Sequence, residues 1–168
     1  MNIQNGTNPV PLQGLGVSNR INQLFERKNK NILSVYFTAG FPKLEDTLPT
    51  LECLQANGVD LVEIGVPFSD PLADGIVIQN SSQQALRNGM SIRKLFDQLT
   101  GVREKIGIPL IMMGYLNPIM QFGFEKFCSE CQRVGVDGMI IPDLPMSDFL
   151  AQYKGIAECY GLEFIFLI

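Results

Sequence analysis

The sequence predicts an α/β fold in which a parallel β-sheet is covered by helices. Two observations predict it: short apolar runs alternate with longer segments of helical periodicity, and one glycine-led pattern precedes four of those runs. Runs that are apolar on both faces are typical of parallel strands buried under helices. The alternation of strands and helices favours right-handed crossovers between parallel neighbours.

The repeated pattern is a glycine, an aliphatic residue and then Asp, Glu or Pro. Its four copies are Gly58-Val59-Asp60, Gly107-Ile108-Pro109, Gly135-Val136-Asp137 and Gly161-Leu162-Glu163. The apolar runs that follow read LVEIG, LIMMG, GMIIP and FIFLI, and an earlier run, ILSVYF at 32–37, predicts a first strand without such a glycine. Because glycine suits the left-handed position that closes a helix, each copy is expected to end one.

Helix starts are also predicted by residue type, since Ser, Asn and Asp side chains can cap the first turn. The expected starting residues are, in chain order, Ser18 or Asn19, then Ser91, then Ser147 or Asp148. Apolar spacing after Ser91 predicts a helix that extends to Ile106. A helix with leucines at positions 44, 48, 51 and 54 tolerates Pro49 only if that proline lies in the first turn.

Both a doubly wound sheet and a barrel fit this order of elements. No G-x-G-x-x-G follows the first strand, which disfavours dinucleotide binding. The repeat glycines at 58 and 107 are 49 residues apart, against 28 and 26 for the later intervals. The surplus of about 20 residues lies after the second strand, around 66–88, where α/β folds place functional insertions.

Composition excludes several classes of protein. The 168 residues are 46% hydrophobic and 18% charged, which suits one compact domain, expected over 18–168 after a flexible tail at 1–17. The net charge of −4 disfavours a nucleic-acid partner. No apolar run is long enough to cross a bilayer, the N-terminus does not resemble a signal peptide, and we expect a cytoplasmic protein.

The four cysteines include a C-x-x-C formed by Cys128 and Cys131. Metal or redox chemistry is one interpretation, but no second Cys or His pair completes a zinc site. The alternative is that both are small hydrophobes on the apolar face of a helix. That face would consist of Phe124, Phe127, Cys128, Cys131 and Val134.

Polar residues and prolines follow each of the first four predicted strands, so one edge of the sheet is the expected site. Glu63 lies inside the apolar run of the second strand, where dehydration would favour its protonated form. Histidine is absent from the sequence, so carboxylates or tyrosines must carry any acid–base chemistry. Asp70 and Asp74 lie in the loop that follows. Glu63 paired with a buried cation, Asp residues that only cap turns, and a metal site remain alternatives, although EF-hand spacing is missing.

Residues 62–75, VEIGVPFSDPLADG, closely resemble the signature of the tryptophan synthase alpha chain family. FTAGFP at 37–42, MGYLNP at 113–118 and IIPDLP at 140–145 support the resemblance, which runs from about residue 18 to the last residue. It implies a (β/α)8 TIM barrel, here a truncated chain that ends in strand 5. It also implies a lyase that cleaves indole-3-glycerol phosphate to indole and glyceraldehyde 3-phosphate in tryptophan biosynthesis, without a metal or cofactor.

The resemblance assigns roles to individual positions. Glu63 matches the catalytic Glu that moves protons, and Asp74 matches the Asp that binds the indole N–H. The positions that match the substrate pocket are Tyr36, Met113, Tyr115 and Ile140, although ordinary packing explains each of them too. The positions that match the docking face for the beta chain are Asp70, Pro71 and Asn117. That partner carries pyridoxal phosphate, and the assembly would be an αββα heterotetramer.

Two departures from the family pattern affect these expectations. Ile76 follows Gly75, where the family usually has proline. A barrel of this class needs about 250 residues, so the 168-residue chain alone is expected to be inactive, as a truncation product would be. Another phosphosugar barrel is the alternative; the lack of His disfavours a ribulose-phosphate epimerase, and the lack of a strand-end Lys disfavours an indole-glycerol-phosphate synthase.

Overall fold

In the computed structural model, which describes residues 19–167, five parallel strands form one sheet in the order β1-β2-β3-β4-β5. The strands are β1 (Ser34–Thr38), β2 (Leu61–Gly65), β3 (Leu110–Met113), β4 (Gly138–Ile140) and β5 (Glu163–Phe164). Each strand pairs with the next one along the chain, as in a barrel, whereas a doubly wound sheet reverses its order. The expected tail at 1–17 and Ser18 lie outside the described residues.

One helix precedes the first strand, and the other helices connect consecutive strands. The helices are α1 (Arg20–Arg27), α2 (Thr47–Ala56), α3 (Ile76–Arg87), α4 (Ile92–Leu99), α5 (Leu116–Phe122), α6 (Phe124–Val134), α7 (Met146–Asp148) and α8 (Lys154–Cys159). Short 3-10 turns cover Leu44–Asp46 and Val102–Glu104, and a π-helical segment, Phe149–Tyr153, joins α7 to α8. Pro49 lies in the first turn of α2, as its missing N–H requires.

Two of the predicted caps are present. The side chain of Asn19 accepts from the backbone N–H of Ile21 at 2.9 Å, and Ser91 accepts from that of Lys94 at 3.2 Å. The prediction for the last helix was wrong, because α7 begins at Met146 and the residue before it is Pro145. Ser147 and Asp148 lie within that helix and do not cap it.

Three of the four repeat glycines adopt the left-handed conformation that closes a helix: Gly58 (φ 80°), Gly135 (φ 81°) and Gly161 (φ 67°). Gly107 does not, and the prediction of a helix through Ile106 was wrong. Helix α4 ends at Leu99, and Gly101 (φ 76°) takes the left-handed position there. The 3-10 turn at 102–104 continues the apolar spacing of a helix beyond Leu99. For this reason the sequence predicts a later end for α4 than the structure has.

The acidic residue of the repeat has a structural role at two strands. Asp60, just before β2, accepts from the backbone N–H of Leu33 at 2.8 Å and from Lys28 at 2.6 Å. Asp137, just before β4, accepts from the backbone N–H of Leu110 at 2.8 Å and from Arg103 at 2.5 Å. In both cases the carboxylate joins its own strand to the start of the previous one, so the repeat fixes the amino end of the sheet.

Two apolar clusters hold the sheet in place. The larger one lies between the sheet and the surrounding helices, and all five residues of the predicted apolar face of α6 are buried in it. The smaller cluster lies on the opposite, inner face of the sheet and consists of Ile21, Leu24, Leu61, Ile111 and Ile140. Since Ile21 and Leu24 belong to α1, the leading helix covers the amino end of the inner face.

Both cysteines of the C-x-x-C motif are fully buried in the larger cluster. Burial raises the pKa of the Cys128 thiol to about 12 and the pKa of Cys131 well above its usual value. Such thiols behave as small hydrophobes, which agrees with the second of the two interpretations.

Candidate functional site

The register of the strands places the candidate residues on one face. Tyr36 is level with Glu63, and Gly65 is level with Met113, which is in turn level with Ile140. Side chains two residues apart on a strand point to the same side, so these residues all belong to the inner face of the sheet. The predicted face is therefore assembled from β1, β2, β3 and β4.

A cavity of about 200 Å³ opens at the carboxyl ends of these strands. Four of the predicted catalytic and substrate-binding residues line it, namely Tyr36, Asp74, Met113 and Tyr115. Ile140 does not line it; its side chain packs into the inner apolar cluster, where Met113 also makes contact. A substrate-binding role for Ile140 thus remains a prediction.

Asp74 is held at this cavity by its neighbours. The hydroxyl of Tyr115 donates to Asp74 Oδ2 at 3.1 Å, and the amide of Gln79 donates to the Asp74 backbone carbonyl at 2.9 Å. Desolvation and the Asp74 carboxylate raise the pKa of Tyr115 above its usual value. The ring of Phe68 packs 5.1 Å from that of Tyr115 and closes the side of the site.

Glu63 is flanked by the fully buried Val62 and Ile64 but is itself only half-buried. Its carboxylate is therefore less dehydrated than the apolar run predicts, because its side chain faces the inner side of the sheet while its neighbours face the helices. The hydroxyl of Ser34 donates to Glu63 Oε1 at 2.5 Å. Within the described residues no ion pair involves Glu63, so a buried Lys or Arg partner is not its role.

Tyr36 is close enough to both carboxylates for their charges to act on its phenol. Burial raises the pKa of Tyr36, a hydrogen bond from Thr38 opposes that shift, and the charges of Asp74 and Glu63 add to it. Its ring also packs directly over Gly65: a Cβ on Gly65 would lie 2.2 Å from the phenol oxygen. Sequence reasoning missed Gly65, although a glycine within a strand marks a close approach.

Two further residues that were missed support this arrangement. Thr38, at the end of β1, shares a buried hydrogen bond of 2.7 Å with Ser81 of α3. The bond ties the pocket to the helix that follows the acidic loop. No pattern in the sequence marks Ser81, because the spacing of residues 66–88 indicates an insertion and does not predict α3. The three consecutive apolar residues 76–78 obscure helical spacing there, and two of them, Ile76 and Val77, are exposed.

Ile76 is the first residue of α3, after Gly75 in an extended conformation. Proline is well tolerated at that position of a helix, since its missing N–H has no partner there. Ile76 therefore stands at a position where a proline would also fit.

The three predicted docking residues are divided between two places. Asp70 and Asn117 are exposed and line an open groove of about 560 Å³ beside Ser91 and Arg93. Pro71 is buried and lines the cavity instead. The groove and the cavity thus adjoin at residues 70–71.

No group of three or more Cys, Asp or Glu residues within 19–167 is arranged to hold a metal ion. Over the same residues, no helix has the length and apolar character needed to span a membrane.

The fold and the site together define a protein of the (β/α)8-barrel class, with carboxylates at the strand ends beside an apolar cavity. Comparison with known proteins identifies the family. The family model described as tryptophan synthase alpha chain matches residues 22–168, and the chain belongs to this family.

Two similar proteins are tryptophan synthase alpha chains of Parabacteroides distasonis (60% identical) and Bacteroides thetaiotaomicron (58% identical). Each match covers 89% of this chain and 58% or 59% of the relative, so the chain spans less than two thirds of these proteins.

Solved structures agree. The alpha subunit from Legionella pneumophila superposes with a TM-score of 0.84 at 35% identity, covering 89% of this chain and 58% of that one. A tryptophan synthase from M. tuberculosis, in its aminoacrylate-bound form, superposes with a TM-score of 0.83 at 28% identity. That match covers 90% of this chain and 62% of the chain from M. tuberculosis.

Proposed function

We propose that the whole protein cleaves indole-3-glycerol phosphate to indole and glyceraldehyde 3-phosphate, with Glu63 and Asp74 as its catalytic residues. The observation that carries this proposal is that two carboxylates lie near Tyr36: Asp74 lines the cavity together with Tyr36, and Glu63 is level with Tyr36 on the next strand. Membership of the family supports the choice of substrate.

The reaction is a retro-aldol cleavage, which needs one proton delivered and another removed. The carboxyl group of Glu63 would give its proton to C3 of the indole ring. The carbon–carbon bond then breaks as the adjacent glycerol hydroxyl loses its proton and becomes an aldehyde, and Glu63 is suited to accept that proton as well. Asp74 would accept a hydrogen bond from the indole N–H and stabilise the positive charge that develops on the ring.

The cavity suits this assignment. Its lining combines aromatic and aliphatic side chains, including Tyr36, Phe68 and Met113, with one carboxylate, that of Asp74. A flat apolar ring that carries a single N–H donor matches such a lining. All the chemistry in this proposal is performed by carboxylates, and it assigns no cofactor to this chain.

We also propose a tryptophan synthase beta chain as partner, in an αββα heterotetramer, with pyridoxal phosphate held by that partner. Asp70 and Asn117 are exposed beside the open groove and would form part of the contact, while Pro71 would connect it to the cavity. The cytoplasm is the proposed compartment, because all four cysteines are free thiols.

The test is indole release by the full-length protein with its beta chain. Glu63→Gln keeps the shape but cannot donate or accept the proton, so we expect turnover to fall by about 10²- to 10⁴-fold, the usual contribution of general acid–base catalysis. Glu52→Gln is the matched control, because Glu52 pairs with Lys105 on the surface. A Glu63→Gln enzyme that keeps most of its activity would refute the assignment. A polypeptide of only these 168 residues is expected to show no turnover.

A further inference from the structure

Ser34 begins β1 and is paired in register with Leu61, whereas Tyr36 is paired with Glu63. Two residues along a strand span about 7 Å. Since the hydroxyl of Ser34 reaches Glu63 Oε1 at 2.5 Å, the carboxylate bends from its own level toward the amino end of the sheet.

The cavity lies toward the carboxyl end of the sheet. Its lining includes Tyr36, Asp74 and Tyr115 at the carboxyl ends of the strands, but Glu63 is not part of it. The carboxylate that should transfer protons is thus directed away from the space that the substrate would occupy. Rotation about the side-chain bonds of Glu63 would carry it to the cavity side of Tyr36.

A hydroxyl that donates to a carboxylate stabilises the conformation in which the two groups meet. Ser34 belongs to an exposed stretch at the start of β1 and has no other assigned task in the site. Its hydrogen bond to Glu63 is short, at 2.5 Å, and is charge-assisted when the Glu63 carboxyl group is ionised.

We propose that Ser34 is a positioning residue that holds the Glu63 carboxylate in a withdrawn position, so that only part of the protein is ready to react at any moment. The inference rests on the proposed function, because it takes Glu63 as the proton-transfer group. A substrate that needs Glu63 in the cavity must displace it from Ser34, and the apparent kcat/KM falls with the fraction of protein in the competent conformation.

The test compares Ser34→Val with Ser34→Thr in the full-length protein with its beta chain. The two variants have nearly the same shape, but only threonine keeps the hydroxyl. Because one hydrogen bond changes a conformational equilibrium by about three- to tenfold, Ser34→Val should raise kcat/KM for indole release by that factor, and Ser34→Thr should stay within about twofold of the wild type. Crystal structures should show Glu63 facing the cavity in Ser34→Val and bonded to position 34 in Ser34→Thr.

An unchanged Glu63 conformation in Ser34→Val, or a kcat/KM that stays the same or falls while the protein remains folded, would overturn the proposal. Thermal denaturation checks folding, and Ser34→Ala replaces Ser34→Val if the valine variant does not fold. Failure of the proposed function is distinguishable, because it would appear as activity that survives Glu63→Gln, whereas the crystallographic position of Glu63 is measured without any activity.

Discussion

The hydroxyl of Tyr115 donates a hydrogen bond of 3.1 Å to Oδ2 of Asp74, and this bond connects the turn after β3 to the acidic loop after β2. Tyr115 and Asp74 belong to different loops. The bond between them therefore fixes the position of the Asp74 carboxylate relative to the turn after β3. Tyr115→Phe removes only the hydroxyl. We expect kcat/KM for indole release to fall by about three- to tenfold, the effect of losing one hydrogen bond.

Tyr160→Phe is the control for this prediction, since Tyr160 also donates to a carboxylate, that of Glu125, but on the surface and away from the cavity. Its activity should match that of the wild type. An equal loss in both variants would mean that the Tyr115 hydroxyl has no particular role at Asp74.

The packing of the Tyr36 ring requires a residue without a side chain at position 65, which is Gly65. A Cβ at position 65 would lie 2.2 Å from the phenol oxygen and 2.5 Å from the ring carbon that carries it, distances that real contacts do not reach. We expect Gly65→Ala to destabilise the protein by about 1–3 kcal/mol, the usual cost of overpacking a core, as measured by urea unfolding. Gly155→Ala, in α8 with open space around it, should instead be neutral or stabilising by up to about 1 kcal/mol.

A double-mutant cycle distinguishes this collision from a simple loss of backbone freedom. Tyr36→Leu shortens the side chain that the new methyl group meets, so Gly65→Ala should cost less in that background than in the wild type. Equal costs in the two backgrounds would show that Tyr36 is not the obstacle.

The outcome for particular residues shows what the sequence could predict. Glu63 and four of the strands could be predicted because the apolar runs follow a repeated glycine-led pattern and a carboxylate interrupts one of these runs. Asn19 and Ser91 were visible as caps because their side chains act locally. Such features depend on neighbours within a few residues along the chain.

Contacts between distant segments could not be predicted in the same way. The bond from Ser34 to Glu63 and the packing of Tyr36 over Gly65 both depend on the register between β1 and β2, which the sequence does not state. The division of Asp70 and Pro71 between a groove and a cavity depends on how the loop folds. Helix α3 was missed because its exposed start, Ile76 and Val77, does not follow the spacing of an amphipathic helix.

Asp60 should make stability depend on acid pH. The hydrogen bond from Lys28 holds the pKa of Asp60 below its ordinary value of 3.8, and the bond from the backbone of Leu33 adds to this. A carboxyl group whose pKa is lowered in the folded state stabilises the protein at pH values above its ordinary pKa. That stabilisation is lost as the pH falls through the lowered pKa. We therefore expect Asp60→Asn to lower the midpoint of thermal unfolding at pH 7, with the difference shrinking below about pH 3.8.

Glu52→Gln provides the comparison, because its ion pair with Lys105 is exposed on both sides and surface pairs contribute little. Its unfolding midpoint should follow the wild type at every pH. A deficit of Asp60→Asn that persists unchanged at pH 2.5 would show that the lost effect is steric and does not come from the charge of Asp60.

The cysteines should fall into two classes of reactivity. Cys53 and Cys159 are exposed, whereas Cys128 and Cys131 are buried side by side on α6. Because the thiolate is the reactive form, the raised pKa values of the buried pair leave it almost entirely protonated at pH 8. We expect iodoacetamide to label Cys53 and Cys159 in the native protein and all four of these cysteines after denaturation, as mapped by mass spectrometry of peptides. Fast native labelling at Cys128 or Cys131, or recovery of a metal ion bound by them, would contradict a packing role and restore the alternative that the C-x-x-C spacing first offered.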